Sequence, residues 1–99
     1  MATVKILFSP THRMMFREGA VDAVRADLAA GLYVTESALF DVQGDSQDAA
    51  EEVFDLTNNP MRQDEREQAY GRGRSLSVGD IVVVGEERWV CCSFGWEEV

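Results

Sequence analysis

Asp41, Asp45, Asp48, Glu51, Glu52 and Asp55 crowd into the stretch DVQGDSQDAAEEVFDLTNNP, which holds no Lys or Arg. Carboxylates at that density can hold a cation, imitate a row of phosphates, or simply solvate a helix face. Asp41, Gln43, Asp45 and Glu52 echo positions 1, 3, 5 and 12 of a calcium loop, but Ser46 stands where the turn glycine belongs and Asp48 where an apolar residue is usual. No calcium site is therefore expected. As a helix, the same stretch places Asp45, Asp48, Glu52 and Asp55 at spacings of 3, 4 and 3, in one stripe. Such neighbours rise about 4.5 to 6 Å apart, against about 3.4 Å per phosphate along a nucleic-acid strand, a pitch that permits mimicry of a phosphate backbone.

Other candidate chemistry lacks partners. His12 is the single histidine, and Cys91 and Cys92 are adjacent, without the separation of two to four residues that zinc pairs use. A Cys–His nucleophilic pair would need a tertiary contact that no local motif supports, and His12 in SPTHR reads as a loop residue. A glycine-rich phosphate loop, a dinucleotide fingerprint and a serine elbow are all missing. The expectation is a protein with no catalytic residue, no metal and no cofactor.

Nine Lys and Arg face eighteen Asp and Glu, for a net charge of −9 in 99 residues. That balance argues against direct binding to nucleic acid or to an anionic membrane and favours basic protein surfaces. The acid sits in two blocks: residues 41–60 carry −6 and residues 76–99 carry −4, while 1–40 is neutral and 61–75 is +1. The longest aliphatic run, Ile81 to Val84, is far short of a bilayer span, and MATVKILFSP has neither the apolar segment nor the cleavage site of a secretory signal, so the chain reads as cytoplasmic. Side chains at consecutive strand positions point to opposite faces, so Cys91 and Cys92 are expected reduced and unbridged.

One domain must position these groups. TVKILF, halted by Ser9-Pro10, predicts a buried strand. Val21, Val24 and Leu28 predict a helix stopped at Gly31. LYVTESALFDV predicts an extended segment with Leu32, Val34, Ala38, Phe40 and Val42 on one face and a bulge or strand edge at Glu36. The acidic helix follows, entered at Gly44-Asp45-Ser46 and stopped at Asn58-Asn59-Pro60, with Ala49, Ala50, Val53, Phe54 and Leu56 turned inward. MRQDEREQAYGRGRS reads as a frayed helix and mobile loop, a linker whose arginines pair with the protein's own carboxylates or, in Gly-Arg-Gly-Arg, contact phosphate. SLSVGDIVVVGEERWVCCSFGW predicts a hairpin, with Trp89, Val90, Cys92, Phe94 and Trp96 contributing to the core. The expected architecture is α+β: a mainly antiparallel sheet, two main helices on one face and a C-terminal β-hairpin.

At EEVFDLTNNP, RSLSVGDIVVV and CCSFGWEEV the sequence resembles small proteins encoded by phages, conjugative plasmids and related mobile elements. The C-terminal part is similar to the YodL-type modules of such elements. The resemblance covers roughly Ala50 to Val99, carries no catalytic residues, and implies context: a small acidic protein like the anti-CRISPR and anti-restriction inhibitors. Where the stripe alone reads as a solvated helix face, this context favours DNA mimicry. The expected function is inhibition of a host defence complex in the host cytoplasm. Asp45, Asp48, Glu52 and Asp55, flanked by Asp41 and Glu51, would meet a basic nucleic-acid-binding surface. The alternative is a non-enzymatic adaptor that binds a phage or plasmid protein through its hairpin edge.

Overall fold

The computed structural model describes residues 1–10, 20–71, 75–92 and 95–99. His12, the Gly-Arg-Gly-Arg loop from Arg72 and the proposed core residue Phe94 lie outside them. Among the described residues the sheet has six strands in the order β2-β1-β4-β5-β6, with β3 also on β1, and every pairing is antiparallel. β1 (Ala2–Phe8) is its spine. On one side β1 pairs β4 (Ile81–Val84), with Ile6 opposite Val82. On the other it pairs β2 (Thr35–Glu36) and β3 (Phe40–Val42) in succession.

The apolar runs VKILF and IVVV show few polar interruptions because the sheet is covered on both faces. Val4, Ile6, Phe8, Val82 and Val84 join the larger core cluster with Ala49, Ala50, Val53 and Leu56 of α2 (Ser46–Asn58), while Phe54, expected inward with them, is exposed. Leu7, Ile81 and Val90 turn the other way and meet Val24 of α1 (Ala20–Ala29). The two helices that share a face are therefore α2 and α3 (Gln63–Tyr70), and α1, expected beside the acidic helix, lies across the sheet from it. Gly31 ends α1 as predicted. At φ +72° it lets its own N–H reach Leu28 O (3.0 Å) and Leu32 N–H reach Asp27 O (3.0 Å), the paired bonds of a Schellman stop.

The hairpin forms as expected, with Val84 opposite Glu87 across Gly85 at φ +62°, a conformation glycine takes without steric cost. Beyond it the sequence reading stopped short. β6 (Trp96–Glu98) adds a third antiparallel strand, pairing β5 (Glu87–Cys91) with Cys91 opposite Trp96. Trp89 and Trp96 pack half-buried against the larger core cluster, and Val90 is fully buried.

Residues 32–42 do not make one strand. From Glu36 to Phe40 the chain takes four steps while its partners on β1, Leu7 to Val4, take three, so a one-residue bulge separates β2 from β3. The bulge falls where Glu36 interrupts the apolar face. Ser37 seals it, its N–H donating to Ile6 O (2.9 Å) and its Oγ accepting from Ile6 N–H (2.8 Å). Only Phe40 and Val42 are buried; Leu32, Val34 and Ala38, expected on the same inward face, are exposed.

The segment read as a frayed helix in a polar linker, its arginines paired with the protein's own carboxylates, is helical and so paired, but it is packed back on α2 and is no mere linker. After α2, a 3-10 turn (Pro60–Arg62) leads directly into α3, and Asn59 Oδ1 starts that turn by accepting from Met61 N–H (3.0 Å). Pro60 sets the reversal that lays α3 back against α2.

Candidate functional site

The six acids of the opening stretch do not form one surface. Asp45 occupies the N-cap position of α2 in extended conformation, but its carboxylate makes no cap bond, and the first-turn Asp48 is exposed one turn on. Among the described residues neither carboxylate has a partner. Glu52 and Asp55 continue the stripe and meet Arg62 across the reversal. Arg62 Nη1 donates to Glu52 Oε1 and to Asp55 Oδ2 (2.7 Å), while Nη2 donates to Glu65 Oε2 (2.9 Å). One guanidinium thus joins three carboxylates from two helices, and their hydrogen bonds, Glu65's first, hold it far above the usual arginine range in proton affinity. The cluster keeps a negative surplus, and its members are fixed in place.

Glu51, expected at the margin of the stripe, turns away from it. Its Oε1 accepts from Trp96 Nε1 (2.6 Å), tying α2 to the edge strand β6. Asp41 accepts from Thr3 Oγ1 (2.6 Å) and lines a groove of about 210 Å³ with Gln43, Glu52, Arg62 and Glu65, floored by Val42 and Leu56. The calcium-like series is dispersed: Asp41 sits on β3 and Glu52 is committed to Arg62, and among the described residues no three His, Cys, Asp or Glu side chains converge as metal ligands.

Glu65 and Arg62 were missed as site residues. The i,i+3 spacing of that pair is visible in the sequence, but their contact with Glu52 and Asp55 depends on the turn at Pro60. Asp80, read only as a turn residue, is fully buried. Its Oδ1 accepts from Ser9 N–H (2.6 Å) and its Oδ2 from Ser77 N–H (2.9 Å), fastening the end of β1 to the entry of β4. The role of Asp80 is structural.

Cys91 joins the α2-side cluster and Cys92 packs against the opposite one, so the adjacent thiols face apart and both are free. Burial, followed by the neighbouring Cys92, pushes the Cys91 thiol up to about 12, and burial also raises Cys92. A nucleophilic thiol needs the opposite shift.

Fold and site together define an α+β domain with an acidic α2–α3 face. No protein family, curated protein or solved structure matches the chain. No helix among the described residues is long and apolar enough to cross a membrane.

Proposed function

We propose that the protein is an anti-defence protein of a phage or mobile element that binds, without catalysis, the basic nucleic-acid-binding surface of a host complex. The observation that carries this reading is the preordered acid of α2. Asp45 at its N-cap and Asp48 in its first turn project without partners among the described residues, and Arg62 fixes Glu52 and Asp55 beside Glu65 rather than leaving them to wander. Fixed charges cost less ordering entropy on binding, and a net charge of −9 steers a basic partner inward. The effective face then runs from Asp45 and Asp48 to Glu52, Asp55 and Glu65, with Asp41 at the groove margin and Glu51 on a separate flank. The mobile-element origin rests on the sequence resemblance, and a host cytoplasmic setting follows from it.

Capture from host lysate would identify the target, and its affinity would then be measured for wild type and for a D45N/D48N/E52Q/D55N variant. We expect tight binding that weakens with salt, competition by the target's DNA, and roughly tenfold or greater loss for each interfacial pairing removed in a desolvated contact. Unchanged affinity of the folded variant would rule out this face.

A second reading, the adaptor, is favoured by one observation. Leu32, Val34 and Leu39 are exposed by 46%, 79% and 68% around the β2–β3 edge. The hairpin-side edge strand β6 carries exposed Glu97 and Glu98, charges that discourage strand addition. An adaptor contact therefore belongs at the β2–β3 edge, and a V34E/L39E variant that loses the captured partner while the acid-neutralised variant keeps it would select this reading.

A further inference from the structure

We propose that the 3-10 turn and α3 form a detachable strap, locked onto α2 by Arg62 and Arg66 rather than by burial. The strap and the helix beneath it are built differently. α2 buries Ala49, Ala50, Val53, Leu56 and Thr57, whereas no described side chain from Pro60 to Ala69 is buried, and Met61 is 89% exposed. Ala69 packs partly against the core cluster. Beyond Ala69, the contacts that hold the segment's described side chains are polar. Arg62 grips Glu52 and Asp55 of α2, and Arg66, one turn along, donates to Thr57 O and Ser75 Oγ (3.3 Å each).

These ties differ in kind from a packed core. The carboxylates on Arg62 range from 26% to 61% exposed, so water and salt compete for the same groups. A groove over Val42 and Leu56 already lies between strap and sheet, so lifting α3 widens an existing opening and breaks little packing beyond that of Ala69. Local opening on this footing requires far less free energy than global unfolding. Its consequence is double: Glu52 and Asp55 lose the cation, which leaves with Glu65 on the strap, and the apolar floor of the groove is uncovered. The strap is thus a device that changes charge and apolar exposure together, and its operation does not depend on the identity of any partner.

Amide hydrogen exchange followed by NMR on the full chain tests it, with wild type, Arg62→Gln and Arg62→Lys. In wild type, the amides of residues 67–71 should exchange on the order of a hundredfold faster than those of residues 53–57 in α2. Arg62→Gln should accelerate residues 67–71 by roughly another tenfold and leave α2, β1 and β4 unchanged, with Arg62→Lys between, because lysine keeps the charge without the fork. Raising salt to roughly 0.5 M should act in the same direction on wild type. Equal protection of α3 and α2 would overturn the proposal. So would Arg62→Gln accelerating the core in parallel, or leaving α3 unaffected.

Discussion

α2 and α3 lie side by side and both turn acids outward, yet they are kept in place by opposite means. α2 contributes an inward row of Ala49, Ala50, Val53 and Leu56 to the main core, and its acids can be charged, paired or bare without disturbing that row. In place of such a row the described side chains of α3 offer Arg66 and a half-buried alanine, helped by Arg62 in the turn before it. A helix fixed by burial can lend its polar face to function, because the face carries little of the folding energy. A helix fixed by its polar face lends that face only by loosening its own attachment, since any partner that competes for those charges also competes for the helix.

The comparison breaks most readily on the buried side. Leu56→Ala should cost about 2–5 kcal/mol, read as a shift in the denaturation midpoint, because Leu56 is 4% exposed beneath the α2–α3 groove. A cost under about 1 kcal/mol would mean that α2 too is held by its surface. Asp80 sharpens the contrast by setting the same carboxylate chemistry in a dry place. Asp80→Asn turns one of its acceptors into a donor facing a backbone N–H, which should cost about 1–3 kcal/mol by the same measurement.

The next effect is alkaline. With the Cys91 thiol at about 12 in the fold, an unfolded thiol ionises first as pH rises past its ordinary value, so stability is intact below that value and declines above it. This one group contributes a loss of about 1.4 kcal/mol per pH unit until its folded value is reached. Urea titrations at neutral pH and in the alkaline range should show a flatter decline for Cys91→Ala. Parallel declines would show that Cys91 does not drive the loss. Smaller again is the global effect of Arg62→Gln, about 1 kcal/mol or less, since its ion pairs are partly exposed and the opening is local. A loss comparable to that of Leu56→Ala would place α3 in the cooperative core.

What was legible in the sequence follows the same division. The hairpin, the central strand and α2 could be read because burial leaves a periodic apolar trace: IVVV before Gly85, VKILF before Ser9-Pro10, and alanines with Val53 and Leu56 at helical spacing. α3 leaves no such trace. QDEREQAY has almost nothing apolar to space, and the contacts that order it come from Glu52 and Asp55 across a turn. β6 is three residues with two glutamates, too short and too charged to read as a strand without its partner β5. Residues 32–42 were legible in part: the break at Glu36 could be read as a bulge, but the alternation overstated the inward face, because the bulge gave its first half to the sheet edge and left Leu32 and Val34 outside. Of the acidic face, the charge and the helical stripe could be read. The division of that stripe, with Glu52 and Asp55 bound to Arg62, and the capture of the flanking Glu51 by Trp96, required tertiary structure.

The smallest effect expected is also the one on which a reading of the acidic face depends. Asp45→Asn with Asp48→Asn removes the two stripe carboxylates that have no partner among the described residues. Asp45 makes no side-chain cap bond, so that change breaks no contact. Asp48 in the first turn gains about 0.3–1 kcal/mol from the helix dipole, and neutralising it relieves its repulsion with Glu52 one turn on, worth about 0.2–0.5 kcal/mol. The terms nearly cancel. A thermal melt should therefore move by less than about 4 °C, the shift that corresponds to roughly 1 kcal/mol or less in a domain of this size. If the double variant stays folded and loses its partner, the charge of those two residues is what the partner recognises. A melt displaced well beyond that range would instead make Asp45 and Asp48 part of the scaffold, and the distinction between a face lent to function and a face spent on folding would fail at the N-terminus of α2.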